Sequence, residues 1–126
     1  MKFLAISGST RAQSTNTALL RALAELTPPP DIIHVYDGLA GLPMFSPDME
    51  GDNTPPPVRA FCHLVDKADG LIISSPEYVR AIPGGLKNVI DWLSSREEIA
   101  DKPIAILHAS HRGDNMLASL GLVLKT

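Results

Sequence analysis

Between Ser7 and Asn16 the chain places the hydroxyls of Ser7, Ser9, Thr10, Ser14 and Thr15, with one cation, Arg11, and the amide of Asn16. The apolar run Phe3 to Ile6 precedes this stretch, and a helical pattern follows it at once. The order reads as a strand, a hydroxyl-rich loop with one fixed cation, and a helix N-terminus. Unpaired backbone N–H groups at a helix start favour negative charge, and the helix dipole adds to that. The hydroxyls supply neutral donors, and the Arg11 guanidinium matches phosphate oxygens. The chemistry is capture of a terminal phosphate. A Ser/Thr/Asn turn before a helix often serves only as a cap, but a cap needs no cation.

Two further polar segments leave apolar runs in the same way. Ser75 to Pro83 follows Gly70 to Ser74, and Ala109 to Gly113 follows Pro103 to His108. Helical spacing of apolar residues predicts helices at Asn16 to Leu26, Val58 to Ala68, Gly84 to Ser94 and Asn115 to Leu124. Strands are expected at Lys2 to Ser7, Asp31 to Tyr36, Gly70 to Ser74 and Pro103 to His108. Pro28, Pro29 and Pro30 stop the first helix. Asp37 to Pro57 has no sustained period and reads as a long loop.

Strands alternating with helices imply a parallel sheet with right-handed crossovers. Runs such as FLAIS, LIIS and IAIL are apolar without alternation, as expected when helices cover both faces. The expected fold is therefore an α/β doubly wound sheet of three layers, with ligands at the carboxyl ends of the strands. The three polar loops share that edge and make one composite pocket.

Other chemistries find little support. The 126 residues carry a net charge of −3, whereas nucleic-acid domains usually carry a basic patch. No run is long and apolar enough for a membrane span, and Met1 to Ile6 is too short for a signal peptide. Cys62 is the only cysteine and lies on the apolar face of its helix, so a buried structural thiol is expected. His34 and His63 read as structural or solvent-facing. His108 and His111 lack the carboxylate partners of a metal site, and no metal is expected. There is no nucleophile elbow, no P-loop and no G-x-G-x-x-G. Length points to one domain over residues 1–126, in a cytoplasmic setting.

Two motifs resemble a known family. GSTRAQSTN, Gly8 to Asn16, is similar to the G-S-x-R-x-x-S-x-N pattern of the NADPH-dependent FMN reductases. SPEYVRAIPGGLKNVIDWL, Ser75 to Leu93, is similar to that family's P-E-Y loop and P-G-x-L-K-N helix start. This flavodoxin-like group includes quinone, azo and chromate reductases. The resemblance implies FMN as cofactor, with Ser9, Thr10, Arg11, Ser14 and Asn16 at its phosphate. Pro76, Glu77, Tyr78 and Val79 would line the isoalloxazine, Glu77 through its backbone. Ser110, His111, Arg112 and Gly113 would close the far side of the ring. It also implies NADPH or NADH as hydride donor to flavin N5. Free flavin, a quinone or a similar small molecule would be the acceptor, and no side chain need act as a catalytic acid. The alternatives are an FMN-binding electron carrier and a non-catalytic remnant.

Two departures stand out. Val79 occupies a position where many members have Asn. Members also usually continue into a fifth strand and a last helix, whereas this sequence stops at Thr126, so four strands are expected. The last helix carries Met116, Leu117, Leu120, Leu122, Val123 and Leu124, more apolar residues than one face buries. Ile82 and Trp92 read as further apolar surface off the stripe of the third helix. A homodimer or homotetramer is expected.

Overall fold

The computed structural model describes residues 1–126. The apolar run at the N-terminus forms β1 (Lys2–Ser7), with Leu4, Ala5 and Ile6 all buried. Burial of consecutive residues means that both faces of the strand are covered. Helix α1 (Thr15–Leu26) starts at Ser14, whose Oγ accepts the Thr17 N–H. It ends at Thr27, just before the three prolines. Strand β2 (Ile32–Tyr36), helix α2 (Pro56–Lys67) and strand β3 (Gly70–Ser74) follow. Helix α3 (Gly84–Leu93), strand β4 (Ile104–Ile106) and helix α4 (Asp114–Leu124) complete the chain.

All strand pairs are parallel, in the order β2-β1-β3-β4. That is the flavodoxin-like doubly wound order without a fifth strand. Leu4 and Ile6 of β1 and Leu71 and Ile73 of β3 join one core with α2, α3 and α4. Helix α1 packs on the other side of β1 and β2, where it buries Leu20. The order reverses between β1 and β3, so the carboxyl ends of these two strands flank the switch point.

Two boundaries differ from the sequence reading. Helix α2 begins two residues early, because Pro56 and Pro57 sit in its first turn, where a missing N–H costs nothing. Strand β4 is three residues long, since His108 turns away to donate from Nε2 to the Arg112 carbonyl. Lys102 then fastens the start of β4 to α2. Its Nζ donates to the Val65 and Ala68 carbonyls at 2.8 and 2.7 Å, closing the end of that helix.

The reading of Ile82 and Trp92 as surplus apolar surface is corrected: both are buried. The long segment after β2 contains three short 3-10 turns and lies over α3, burying Leu39 and Leu42. Trp92 Nε1 donates to the Pro43 carbonyl at 2.8 Å, and its ring meets Phe45 edge-on at 5.1 Å. Asn88 completes the attachment. Its Oδ1 accepts the Phe45 N–H at 2.7 Å and its Nδ2 donates to the Pro43 carbonyl. Met116 and Leu120 are also fully buried within the chain, which leaves Leu122 as the exposed leucine of α4. Cys62 is buried as expected, and burial pushes its thiol up.

Asn88→Ala would leave the half-buried Phe45 N–H without an acceptor and release the long segment from α3. Such a loss costs about 1–3 kcal/mol. Urea unfolding should show a lower midpoint at unchanged slope, and an unaltered midpoint would show that the segment is held by Leu39, Leu42 and Trp92 alone.

Candidate functional site

The first polar loop leaves β1 at Ser7 and passes directly against the second. Gly8 N–H donates to the Ser74 carbonyl at 2.8 Å. A Cβ at Gly8 would lie 2.3 Å from Ser75 Oγ and 2.7 Å from Ser75 Cβ, so no side chain fits between the loops. Ser7 organises the next turn: its Oγ accepts from the Thr17 hydroxyl at 2.8 Å and from Ser9 N–H at 3.3 Å. Arg11 N–H bonds Ser9 Oγ, and the Arg11 guanidinium reaches the Gln13 carbonyl at 2.8 Å.

The loop delivers α1 with part of its N-terminus open. Ser14 Oγ takes the Thr17 N–H and the Ser14 carbonyl takes that of Ala18. The amides of Thr15 and Asn16, in the first turn, have no acceptor within the chain. The buried Ser74 hydroxyl donates to Asn16 Oδ1 at 2.9 Å, which leaves the Asn16 NH2 group free to donate elsewhere. Ser14 Oγ, already an acceptor, keeps its own proton for a ligand.

The second loop contains a two-residue hairpin. Tyr78 and Ala81 exchange both backbone hydrogen bonds at 3.0 Å across Val79 and Arg80. Those two residues sit at φ 50° and 59°, left-handed values that suit Asn-Gly far better than Val-Arg. A β-branched residue there is an outlier, and Val79 is 99% exposed. Before the hairpin, Glu77 turns back toward the third loop. Its Oε1 accepts the Met116 N–H at 2.8 Å, in the first turn of α4. That helix has no side-chain cap of its own, because Gly113 precedes it at φ 106°. The Glu77 carboxylate is therefore committed to α4, which leaves its backbone for the role expected from the sequence.

The third loop is closed by short bonds. Ser110 Oγ accepts the Arg112 N–H at 3.0 Å, and His108 Nε2 donates to the Arg112 carbonyl. A Cβ at Gly113 would stand 2.9 Å from the His108 ring. Between the loops lies a cleft of about 700 Å3. The structure gathers Asn16, Pro76, Glu77, Ser110, His111, Arg112 and Gly113 around it. Thr15, Leu19, Ser75, His108 and Ala109 line it as well; all but Leu19 stand in or beside the three polar loops, though none was assigned to the ligand. Thr15 and Leu19 follow from the helix start by one-turn spacing; Ser75 and His108 adjoin the polar triplets. Ser9, Thr10, Arg11 and Ser14 stand in the loop that leads to the cleft rather than among its lining residues. Tyr78, 47% exposed, and Val79 are carried outward by the hairpin.

A second cleft of about 860 Å3 lies beside α2, lined in part by Glu50, Arg59, His63, Arg96 and Glu98. Its cations are already committed, Arg59 to the Asp52 carbonyl and Arg96 to Glu98 at 3.0 Å. The Arg96 hydrogen bond holds the Glu98 carboxyl below its usual range. It is also remote from the carboxyl ends of the strands. The three-loop cleft is the stronger candidate because it meets free amides, a free side-chain amide and the unpaired Arg112 guanidinium together.

The cleft has the donors to hold an anionic group of a small ligand. A cleft of this size lies within the range of small-molecule pockets. The unpaired Thr15 and Asn16 amides at a helix start are anion donors, and Arg11 adjoins them. Glu77→Ala should uncouple the second loop from α4 and destabilise the protein by about 1 kcal/mol, the usual worth of a helix cap. Glu77→Gln, which keeps the acceptor oxygen, should recover most of it. Thermal melts of the two variants decide the matter: equal losses would show that the charge, and not the hydrogen bond, holds the contact.

Comparison with known proteins agrees with this geometry. The family model for NADPH-dependent FMN reductases matches residues 1–125. An NAD(P)H-dependent FMN reductase of Pseudomonas aeruginosa is 40% identical over 112 residues, 87% of this chain and 60% of that protein. A 2-hydroxy-1,4-benzoquinone reductase of Burkholderia sp is 40% identical over 113 residues, 87% of this chain and 61% of the relative. The chain thus spans about three-fifths of the length of these relatives. Among solved structures, a flavoenzyme NAD(P)H:(acceptor) oxidoreductase from Paracoccus denitrificans superposes with a TM-score of 0.85 at 26% identity. That match covers 98% of this chain and 71% of the other. An azoreductase of Bacillus anthracis, at 18% identity and TM-score 0.71, shares the fold. With the family match running from the first strand to the end of α4, the chain belongs to the NADPH-dependent FMN reductase family.

Proposed function

We propose that residues 1–126 are a single domain that binds FMN and serves an NAD(P)H-dependent reduction of free flavin, a quinone or a similar small acceptor. The observation that carries this reading is the open first turn of α1. Two amides without acceptors and the free Asn16 NH2 stand on one rim of the three-loop cleft, and Arg11 lies in the loop that leads to them. Ser9, Thr10, Arg11, Ser14 and Asn16 would hold the phosphate. Pro76, Glu77, Tyr78 and Val79 would follow one edge of the ring, Glu77 with its backbone, since its carboxylate is committed to α4. Ser110, His111, Arg112 and Gly113 would close the other side.

When bound, FMN supplies the redox chemistry, taking hydride at N5 and passing electrons on. The chain's task is to bind and orient. The Gly8–Ser75 contact fixes the distance between the phosphate donors and the second loop. The Glu77–Met116 bond fixes the third loop relative to the second. In this reading no side chain need act as a general acid. The names of the relatives, FMN and quinone reductases, support the same reading. A cytoplasmic setting accords with a single buried thiol and no disulfide.

The chain is further proposed to act as a homodimer or homotetramer. Leu122 on α4 is 72% exposed and Met44 on the long segment 82%. A two-fold contact is the commonest way to bury such surface.

Fluorescence titration tests the cofactor reading. Arg11→Ala should weaken FMN about ten- to a hundredfold, as expected for loss of a charge-assisted bond, and riboflavin much less. Equal weakening of both ligands would make Arg11 structural, and a wild-type chain that binds no FMN would overturn the proposal. Light scattering at micromolar concentration tests assembly, where a well-folded, FMN-loaded monomer would overturn it.

A further inference from the structure

The end of β3 grips the start of α1 through one buried hydroxyl. Ser74, the last residue of the strand, is 0% exposed and does not itself line the cleft. Its Oγ donates to Asn16 Oδ1 at 2.9 Å, across 58 positions of sequence, and makes no other hydrogen bond. Asn16 is the second residue of α1, half-buried and part of the cleft lining. Its NH2 group has no acceptor in the chain and is open to solvent. Ser7, the partner of Ser74 in the β1–β3 register, holds the next residue of the helix by accepting the Thr17 hydroxyl at 2.8 Å. Two strand-end serines thus pin the first turn of α1, one by accepting and one by donating.

The direction of the Ser74 bond matters. A hydroxyl shut away from water needs a protein acceptor for its proton. Asn16 Oδ1 is the only one that Ser74 has. With the amide turned over, the NH2 group would meet the Ser74 oxygen and the Ser74 proton would lose its acceptor. The Asn16 carbonyl oxygen would then take the open position. The strand end therefore decides which end of the amide a ligand meets. An NH2 group there adds a donor beside the unpaired Thr15 and Asn16 amides, whereas a carbonyl oxygen would oppose an anion.

We propose that Ser74 is a positioning residue that sets the ligand preference of the cleft. By holding Asn16 Oδ1 it turns the Asn16 side chain into a fixed donor, and so selects a ligand with an anionic or accepting group over one whose group donates. The inference rests on the FMN reading for the identity of that group, a terminal phosphate, but not for the orientation of the amide.

Fluorescence titration of the full chain with FMN and riboflavin tests the selection. Ser74→Ala removes the proton at little change in volume. It should weaken FMN about fivefold, the scale of one hydrogen bond, and riboflavin little. In an Asn16→Ala background the same change should add nothing, because no amide is left to orient. Asn16→Asp, which keeps the acceptor for Ser74 but replaces NH2 with oxygen, should weaken FMN more than Asn16→Ala does. An FMN affinity unmoved by Ser74→Ala, equal loss of both flavins, or an undiminished effect in the Asn16→Ala background would overturn the proposal. Should Ser74→Ala fail to fold, the Asn16→Asp comparison decides, and an FMN loss no greater than that of Asn16→Ala overturns it. NMR of the Asn16 side-chain NH2 reads the orientation without flavin. Inorganic phosphate should shift that signal in the wild type and less in Ser74→Ala; an equal response in both, or none, would count against positioning. A wild type that shows this difference yet binds no FMN would sink the reductase reading alone.

Discussion

The site depends on the contact between Gly8 and Ser75. At that point the first polar loop has no side chain, and its backbone lies against the first residue after β3. Anything larger at residue 8 would force the two loops apart, together with the open first turn of α1. The adjacent Gly8–Ser74 hydrogen bond extends the β1–β3 pairing one residue past the end of β1. The sheet thus sets directly where the free amides of Thr15 and Asn16 stand. Ser74 belongs to the same unit, since its buried hydroxyl orients the Asn16 amide. One close approach at the switch point fixes both a backbone donor set and a side-chain donor.

The opposite wall is built by a different device. Gly113 is needed where the third loop passes His108, and its left-handed φ leaves α4 without a side chain to cap it. Glu77 supplies the missing acceptor from another loop. A carboxylate at a helix N-terminus is favoured by the dipole as well as by the hydrogen bond. The same arrangement sets the one carboxylate of the three loops, which lines the cleft, against the start of α4. Closure of the cleft and its electrostatic character therefore share one residue.

Much of this was legible in the sequence, for identifiable reasons. Strands β1 and β3 are short apolar runs ended by polar residues, and α1 has its cap in Ser14, so their positions follow from local chemistry. The parallel doubly wound sheet follows from alternation of strands and helices; its flavodoxin-like order was implied by the family resemblance, which is upheld by the match over residues 1–125. What was not legible depends on contacts between residues far apart in the chain. Glu77 meets Met116 across 39 positions, and Asn88 meets Phe45 across 43. Ile82 and Trp92 read as surplus surface because nothing local announces that the segment after β2 folds over α3. Its short turns have no hydrophobic period to show them. The shortness of β4 likewise comes from a side-chain bond, that of His108 to the Arg112 carbonyl.

The Val79–Arg80 turn escaped the sequence for the opposite reason: its residues argue against it. Two consecutive left-handed residues, one of them β-branched, cost about 1–3 kcal/mol each in backbone strain. The stem holds them in place. Tyr78 and Ala81 are joined by two hydrogen bonds, and Ile82 and Pro83 beyond them are buried where α3 begins. With both ends of the turn fixed, the chain has two residues in which to reverse, and a hairpin that short requires positive φ whatever the side chains. An Asn at position 79 would meet the same demand with less strain, so Val79 is not there for the backbone. Its side chain is wholly in solvent beside a half-exposed tyrosine and an unpaired arginine, which makes the turn a presented surface rather than a packed one. Strain retained at a solvent-facing tip is held by its fixed stem and not relieved by packing of its own side chains.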